Sequence, residues 1–465
     1  MSDALPIPSA QPHSEAPATT SARAKPSLRY AWYVVAVLTV IYVFSFIDRQ
    51  IFSLLVGPLR RDLGITDTQV SLLMGLSFAL FYTFFGVPIG RAADMYSRRG
   101  IIAVGLILWS GFTTGCGLAR TFPQMLALRT GVGVGEAALS PAAYSLITDY
   151  FPPERLSTAI SVYAMGIYIG SGVAYILGGY VVAYANTRDE WTVPVLGAIR
   201  SWQLIFLIVG LPGILLAFLL LTVREPARGL AQKNSSTPLR IVIRYVFQNA
   251  RTFFLHNMGF AFLALSTYAA AGWVPEFFRR HFHWSIQKTG LIYGTIVLVF
   301  GSLGISAAGW VADAVRSRGR QHANVLVGAW VALLTIPVTL AFTLIDSPVP
   351  AIICLIPAAF LGAAPFGIAP AAIQQMMPPT MRAQASAVYL FVLNLIGLGI
   401  GPSAVALCSQ YIFRRDDAIH LSLAVVICTS CAIAALLLFA CSKPFIASLD
   451  HLRRWHPSQS SANPS

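Results

Sequence analysis

Charged residues are absent from long stretches of this chain and then occur in short clusters. In ten segments no Asp, Glu, Lys or Arg interrupts a mostly apolar run. A helix needs roughly 20 residues to cross about 30 Å of hydrocarbon, and most of the runs exceed that length. The ten uncharged runs are Ser71–Gly90, Gly100–Ala119, Leu156–Thr187, Trp202–Val223, Thr252–Pro275, Thr289–Ala312, Gln321–Ile345, Ser347–Met381, Ala383–Phe413 and Ala418–Ser442.

Two further segments complete a set of twelve predicted spans. Tyr30–Ile47 is apolar and stops at Asp48 and Arg49, whereas Phe122–Ile147 is apolar apart from Arg129 and Glu136. In lipid the backbone must satisfy its own hydrogen bonds, so runs this long and continuous are typical of helices and not of alternating barrel strands. The sequence therefore predicts an all-α integral membrane protein.

Composition and charge placement support this interpretation. Hydrophobic residues make up 56% of the 465 residues and charged residues 11%, against roughly a quarter charged in a soluble domain. A net charge of +14 would also be consistent with binding to nucleic acid. However, 20 Lys and Arg residues fall on the side of the chain ends and 10 on the other side. By the positive-inside rule this bias puts both termini in the cytoplasm of a multi-pass inner-membrane protein, with membrane lipids as partners and no nucleic acid.

The domain organisation follows from the same pattern. The first segment is rich in Pro, Ala and Ser and lacks the apolar core of a signal peptide, so we expect a disordered tail. A polar, basic loop divides the spans into two sets of six. The expected segments are a cytoplasmic tail at 1–28, a first six-helix bundle at 29–223, a cytoplasmic loop at 224–251, a second bundle at 252–445 and a cytoplasmic tail at 446–465.

Two motifs recur at the same place in both halves. After the second span of each half, glycine and aspartate are separated by three residues, at Gly90 and Asp94 and again at Gly309 and Asp313. The fourth span of each half is followed by a Pro-Pro pair and an arginine. Repeated halves of six helices are typical of transporters with a pseudo-two-fold axis, whose solute site lies between the halves.

These motifs resemble the major facilitator superfamily over nearly the whole chain. The superfamily loop signature matches at Gly90, Asp94, Arg98 and Arg99, with Ser97 in place of its second glycine. A closer resemblance, to spinster-like transporters, rests on Phe46-Ile47-Asp48-Arg49, on the run from Arg129 to Ala137 and on Gly170-Ser171-Gly172-Val173-Ala174-Tyr175. The resemblance implies two six-helix bundles, coupling to protons and action as a monomer.

Ionisable groups inside the bilayer are the first candidate site. Such groups are costly and normally have a partner and a function. Arg129 and Glu136 are seven residues apart and project from nearly the same face of the fourth span. We interpret Asp48 and Glu136 as proton-binding groups and Arg129 as the cation that holds one carboxylate; Arg49, Arg129 and Glu136 also become candidates for substrate contact. Alternatively, these charges form a fixed pair that only joins the first and fourth spans, and the Arg49 side chain extends to the membrane–water interface.

The second half provides polar and aromatic candidates for lining a cavity. They are Tyr268, Trp273, Tyr293, Gln374 and Asn394. A cavity charged on one side and aromatic on the other suits an amphiphile, although lone aromatic residues in spans are more often packing residues. We see no buried charge in this half, and expect Glu276 to be an exposed interfacial acid.

Gating residues are implied by the superfamily resemblance. Such a cluster forms ion pairs at helix ends in one state and breaks in the other, and the positions that match are Gly90, Asp94, Arg98, Asp149, Arg155 and Asp313. Alternatively, the arginines in this set have no role in gating and only fix the orientation of the helices in the membrane.

No enzymatic, metal or cofactor site is expected. We find no clustered nucleophile, base or metal ligands within the spans, and no phosphate-binding loop for ATP. The six cysteines all fall in spans and are interpreted as small packing residues. The sequence therefore favours a proton-coupled carrier of lysolipids or sphingolipid-like amphiphiles, with a carrier of small polar organic anions or sugar acids as the alternative. Import and export are both open.

Overall fold

The computed structural model describes residues 27–151, 153–194, 196–226, 239–378 and 381–455, and most of these are helical. Residues 1–26 of the first predicted tail and the middle of the predicted loop at 224–251 lie outside the described residues, whereas the second predicted tail, at 446–465, is described to residue 455 and is helical to Arg454. The first half comprises α1 Leu28–Leu54, α2 Val56–Leu63, α3 Asp67–Met74, α4 Leu76–Met95, α5 Arg98–Cys116, α6 Phe122–Glu136, α7 Leu139–Tyr150, α8 Pro153–Ala185, strands β1 Glu190–Val193 and β2 Gly197–Arg200, α9 Ser201–Leu216 and a 3₁₀ segment at Ala217–Thr222.

The second half contains the same type of element. It begins with α10, which lies within the predicted loop. The elements are α10 Leu239–Gln248, α11 Ala250–His281, α12 Ile286–Ile296, α13 Ser302–Ser317, α14 Ala323–Leu344, α15 Pro348–Ala363, α16 Pro365–Met376, α17 Arg382–Leu393, α18 Gly399–Leu407 and α19 Ile419–Arg454, with π-helical turns at Val297–Gly301, Asn394–Leu398 and Cys408–Phe413 and a 3₁₀ turn at Asp416–Ala418.

The predicted fold class is confirmed, and the fourth span differs from the others. Eleven helical stretches of the described residues are long and apolar enough to cross a membrane. The fourth predicted span is instead two shorter helices, α6 and α7, that meet at Ala137 and Ala138. Pro141 lacks the N–H that would bond to the Ala137 carbonyl, so an unbroken helix is disfavoured there.

The first span is longer than its apolar run. The prediction placed its end near Asp48, but α1 continues to Leu54. Asp48 and Arg49 therefore lie inside the helix, and Asp48 is buried. Its ionised form can persist there only with partners.

The helices define two ends of the molecule. We call the end where α1 begins and α19 ends the tail face, and the end where α1 leads into α2 and α3 the opposite face. Arg60 of α2 lies 2.8 Å from Asp416 at the start of α19, which places these two elements at the same end. Within the halves, α1 packs along α8 and α11 packs along α19.

The two halves meet most closely near the opposite face, through glycines. A Cβ added at Gly290 of α12 would collide with the Tyr175 carbonyl of α8, and one at Gly172 would lie 2.8 Å from the Gly294 carbonyl. A Cβ added at Gly75 would likewise collide with the Leu398 carbonyl. Small residues let helix backbones touch in membranes, so α8 and α12 are in direct contact.

An ion-pair cluster also joins the two halves at the opposite face. Arg280 of α11 donates to both oxygens of Asp67, at 2.7 and 3.0 Å, and to Glu276 at 2.8 Å. Glu276 is only 4% exposed, so the expectation of an exposed interfacial acid was wrong. The helix continues to His281, and this folds Arg279 and Arg280 back over the carboxylate. A buried charge therefore exists in the second half, contrary to our prediction.

The cysteines are packing residues, as predicted. All six are free thiols, four of them buried and two, Cys354 and Cys428, half-buried.

Candidate functional site

Two buried ion pairs connect α1 to α6. Asp48 and Arg49 are neighbours in sequence, so about 100° of helical rotation separates their side chains. Each one meets a different charged residue of α6. Asp48 faces Arg129 and Arg49 faces Glu136, which makes the two pairs run in opposite senses between the same two helices.

The pair of Asp48 and Arg129 is the deeper one. Arg129 Nη1 lies 3.5 Å from Asp48 Oδ1, and both side chains are 1% exposed. The Thr113 hydroxyl of α5 donates to Asp48 Oδ2 at 2.5 Å. Arg129 Nε donates to the Leu73 carbonyl at 3.3 Å. The carboxylate and the guanidinium thus each have a second partner, but Asp48 Oδ1 and Arg129 Nη1 are buried and make no hydrogen bond with a described residue.

The pair of Arg49 and Glu136 is more asymmetric. Arg49 Nε and Nη2 each lie 2.6 Å from Glu136 Oε2, and the Ser45 hydroxyl donates to the same oxygen at 2.7 Å. Glu136 Oε1 is buried and makes no hydrogen bond with any described residue. The Glu136 carboxylate is therefore only half-satisfied.

An aromatic ring lies between the two guanidiniums. The ring centre of Phe78 on α4 is 4.5 Å from the Arg49 guanidinium carbon and 5.5 Å from that of Arg129. The ring centre of Phe52 lies 4.4 Å from the Arg129 guanidinium carbon, and that of Tyr82 lies 5.0 Å from the Arg49 guanidinium carbon. The negative faces of these rings stabilise the cations where water is scarce.

Glycines of α6 make this packing possible. A Cβ at Gly133 would lie 2.8 Å from the Phe78 carbonyl of α4, and one at Gly135 would lie 2.7 Å from the Trp109 amide nitrogen of α5. A Cβ at Gly131 would meet the Phe112 ring at 2.7 Å. α6 is thus held against both neighbours, and its two charged residues are fixed relative to α1.

A small cavity lies between the halves beside Arg49. Its volume is about 40 Å³, and it is lined by Arg49, Gln50 and Phe78 from the first half and by Tyr268, Leu398 and Pro402 from the second, among others. The Arg49 side chain is 14% exposed, whereas its partner Glu136 is fully buried. Arg49 is therefore the charged member of the cluster that a solute in this cavity would meet.

The predicted second-half residues do not all converge on this cavity. Tyr268 lines it. Trp273 is buried and its indole N–H donates to the Pro402 carbonyl at 2.8 Å, and Tyr293 packs on Tyr175 with ring centres 4.7 Å apart. Gln374 is exposed and donates to Ser386 at 3.1 Å, while Asn394 is half-buried at the start of a π-helical turn.

A second charged cluster lies at the tail face of the first half. Arg98 donates to Asp149 at 2.5 Å and to Glu225 at 2.9 Å, so the sequence-matched residues Arg98 and Asp149 do meet. Glu225 follows the 3₁₀ segment at Ala217–Thr222 and was missed, because an acid in a polar loop carries no distinguishing pattern. Burial alone would raise the pKa of Glu225, but hydrogen bonds from the Arg99 amide and the Arg98 side chain outweigh it, so the pKa is lowered.

The remaining gating candidates are placed differently. Arg155 is exposed at the start of α8, and Asp313 pairs with Arg316 at 3.4 Å within the second half. A Cβ at Gly90 would have only Pro141 nearby, at 3.8 Å. The side chain of Asp94 is outside the part of the chain that the structure describes. Among the described residues, no ion pair at the tail face joins the two halves.

One buried polar residue of the second half was also missed. His256 of α11 is fully buried, with Nδ1 3.2 Å from Asn257 Oδ1 and Nε2 3.2 Å from the Ala369 carbonyl. A neutral histidine does not interrupt an uncharged run, so the pattern of charges gave no signal for it.

Comparison with known proteins agrees with this architecture. The family model described as Major Facilitator Superfamily matches residues 38–402. An MFS-type efflux pump of Mycolicibacterium smegmatis is 26% identical over 382 residues, covering 82% of this chain and 85% of that protein. The protein spinster of Drosophila melanogaster is 25% identical over 402 residues, covering 83% of this chain and 63% of that protein.

A solved structure matches the fold over nearly the whole chain. It is a bacterial homologue of the human lysosomal transporter Spinster in an inward-facing, unoccupied conformation, with a TM-score of 0.76, 27% identity and coverage of 93% of this chain and 100% of that one. In this chain the described helices form two halves, which are joined at one end by the contact between α8 and α12 and by the ion pair of Arg280 with Asp67. The chain resembles spinster proteins in sequence and in fold. It belongs to the Major Facilitator Superfamily and is a membrane transporter and not an enzyme.

Proposed function

We propose that this transporter works by alternating access, that protons drive it, and that it carries a lysolipid or sphingolipid-like amphiphile. The observation that carries this proposal is the pair of crossed ion pairs between α1 and α6, one of which borders the cavity between the halves. Buried carboxylates held by arginines can bind and release protons when their partners move.

Coupling follows from the cost of an unpaired buried charge. Arg49 is held by Glu136 in this conformation. An anionic head group that binds Arg49 would displace Glu136, whose ionised carboxylate would then lack a partner. Removing one member of a buried ion pair costs about 3–5 kcal/mol. Protonation of Glu136 removes that cost, so binding of the anion and uptake of a proton favour each other.

Two features support this scheme over a fixed pair that only joins helices. Arg49 faces the cavity while Glu136 is buried behind it, which is the order that an exchange of partners requires. In addition, Oε1 of Glu136 makes no hydrogen bond with the described residues, so the pair is not optimised for stability alone. Asp48 and Arg129 form the second proton-linked pair in the proposal.

The cavity wall supports an amphiphilic substrate. The first half contributes Arg49 and Gln50, whereas the second half contributes Tyr268, Leu398 and Pro402. In this proposal a charged head contacts the first group and a hydrocarbon tail the second when the halves part and widen the cavity, whose volume here is about 40 Å³. Tyr268 is the member of the predicted second-half set that we assign to substrate contact.

The substrate assignment can be tested with purified protein in liposomes under an imposed pH gradient. We expect gradient-dependent movement of a lysophospholipid and none of a sugar acid of the same charge. The opposite result would favour the alternative, a carrier of small polar organic anions. Dissipating the gradient with a protonophore should abolish the lysophospholipid signal, and an unchanged signal would exclude proton coupling.

We also propose the orientation and location of the protein. The two-to-one excess of Lys and Arg on the tail face supports a cytoplasmic tail face in an inner membrane. On this assignment residues 29–223 and 252–445 are the bundles that rock, and the structure is closed towards the outside. A Gln232→Cys variant should react with an impermeant maleimide only in permeabilised cells; labelling of intact cells would reverse the assignment.

A further inference from the structure

A second and larger cavity lies on the outer side of the second half. Its volume is about 780 Å³, and it is formed by α13, α14, α15 and the α19 residue Phe439. Cavities that hold small ligands fall in the range of about 300–1,000 Å³. All of its lining residues belong to the second half, so this groove is separate from the cavity beside Arg49.

The groove opens sideways, towards the surface that faces lipid. Trp330 is 50% exposed, Val311 39% and Phe439 38%. At its inner end the groove stops where α13 and α15 touch, because a Cβ added at Gly304 would collide with the Phe360 carbonyl. From Gly304 to Val315 the rise along α13 is about 16 Å, which is close to half of the roughly 30 Å hydrocarbon core. The groove therefore spans one leaflet.

Two arginines form the mouth of the groove at the tail face. Arg318 and Arg320, from the turn between α13 and α14, line it, and its other lining residues are uncharged. Both are exposed, and neither forms an ion pair with a residue that the structure describes. The groove is thus apolar along its length and positively charged at one end.

The two halves differ in how arginines of this repeated region are paired. In the first half Arg98 is neutralised by Asp149 and Glu225. In the repeated Pro-Pro motif the position of Asp149 is taken by Gln375, which is neutral. When its amide oxygen is oriented towards the donors around it, Gln375 accepts hydrogen bonds from Arg316 and Asn324.

The charges at this turn therefore do not balance. Asp313 is the one acid that pairs there among the described residues, and its partner is Arg316. This leaves the charges of Arg318 and Arg320 uncompensated. Arg318 and Arg320 have no acidic partner among the described residues and they line the groove, so they point to an external anion there.

We propose that this groove binds an anionic phospholipid from the membrane leaflet at the tail face. The phosphate would lie on the guanidiniums of Arg318 and Arg320, which match phosphate oxygens as paired donors, and one acyl chain would lie along Val311, Leu334 and Phe360. Basic clusters beside membrane helices attract anionic head groups. This inference goes beyond the proposed transport function and holds whatever the transported solute is.

The test is retention of lipid by the purified full-length protein, measured by native mass spectrometry after incubation with phosphatidylglycerol or phosphatidylcholine of the same chains. We expect the wild type to retain phosphatidylglycerol, and the double variant Arg318→Gln/Arg320→Gln to retain at least fivefold less. Equal retention of the two lipids by the wild type would overturn the proposal. So would competition by inorganic phosphate alone, because that would indicate an anion site without a role for the groove.

Two further variants separate the groove from general surface charge. Arg244→Gln/Arg251→Gln removes the same charge from exposed positions on α10 and α11, and we expect it to keep lipid retention at the wild-type level. Ala307→Phe fills the groove and leaves both arginines in place, and we expect it to lose retention as the arginine variant does. An equal loss in the control, or full retention by Ala307→Phe, would contradict the proposal.

Discussion

Arg49 links the central cavity to Glu136, the proposed proton-binding carboxylate. Its guanidinium holds Glu136 through two nitrogens, each 2.6 Å from one oxygen, and its side chain borders the central cavity. Phe78 and Tyr82 cover it with their rings. A lysine could supply the charge at this position, but not the planar fork that contacts both the carboxylate and the rings.

We predict that Arg49→Gln lowers the free energy of unfolding by about 3–5 kcal/mol, because it leaves Glu136 as an unpaired buried charge. The double variant Arg49→Gln/Glu136→Gln should recover most of that loss and still fail to transport. Thermal unfolding and uptake in liposomes measure the two effects separately. Recovery of transport in the double variant would show that the pair serves only to join α1 and α6.

At the tail face, Glu225 contributes stability that depends on pH. Its pKa is lowered in the folded protein by hydrogen bonds from Arg99, Arg98 and Ser97. A carboxylate whose pKa is lowered by folding stabilises the fold at pH values above its unfolded pKa, which is near 4.3 for glutamate. This contribution is lost as the pH falls through the lowered pKa of the folded protein. Glu225 therefore makes the folded protein less stable as the pH becomes acidic.

The prediction is that wild-type protein exceeds Glu225→Gln in melting temperature at pH 7, and that the difference shrinks progressively as pH falls below about 5. Glu190→Gln removes a surface-exposed acid of the β1–β2 hairpin and serves as the control. A difference between wild type and Glu225→Gln that stays constant down to pH 3 would contradict the lowered pKa.

The sequence located charged residues well but not their partners. Asp48, Arg129 and Glu136 are recognisable because each interrupts an apolar run. That Arg129 meets Asp48 while Glu136 meets Arg49 depends on how α1 is rotated against α6, which is a tertiary property. Local patterns carry no information about such a contact.

Charged residues at the ends of spans were harder to interpret. Glu276 lies where an exposed acid is normal, yet α11 continues past it and covers it with Arg279 and Arg280. Its link through Arg280 to Asp67 joins positions 213 residues apart. A helix boundary shifted by one turn is enough to convert an exposed acid into a buried one.

Among the helices, the contact between α8 and α12 closes the opposite face. Gly172 and Gly290 let the two backbones touch. The resemblance drew attention to Gly172, but the sequence did not show that Gly290 is opposite α8, because the register between helices of different halves is a tertiary property. A reversible contact of this kind is what a rocking motion requires.

We predict that Gly290→Ala weakens the closed state of the opposite face, because its Cβ collides with the Tyr175 carbonyl. The variant should increase labelling of a cysteine placed in the central cavity, at Ser53, by reagents added from the opposite face. Gly111→Ala in α5 is a matched control, since nothing lies within 4 Å of its added Cβ. Equal labelling in the two variants would exclude α8 and α12 as a gate.

For the whole molecule, the ion pairs at the opposite face hold one conformation. Arg280 of the second half binds Asp67 of the first, and Arg60 of the first half reaches Asp416 of the second at 2.8 Å. At the tail face the described ion pairs stay within each half. The two faces therefore differ in the way that alternating access requires.

We predict that Arg280→Gln shifts the population towards a state open at the opposite face. Spin labels at Thr187 and Ser347, in a background without the native cysteines, should show a longer distance component in this variant. Arg279→Gln is the control, because the ion pair of Arg279 is confined to Glu276 in its own half. Identical distance distributions in the two variants would show that the Arg280 cluster does not select the conformation.

The most direct test of proton coupling through the first half is substrate-dependent proton movement in liposomes, followed with a pH-sensitive dye enclosed in the vesicles. Addition of lysophospholipid outside the vesicles should acidify the lumen for the wild type and for Asp346→Asn, which alters a highly exposed acid on the opposite face. Asp48→Asn, folded and monodisperse, should abolish that signal. Wild-type proton movement in Asp48→Asn and in Glu136→Gln would contradict the account.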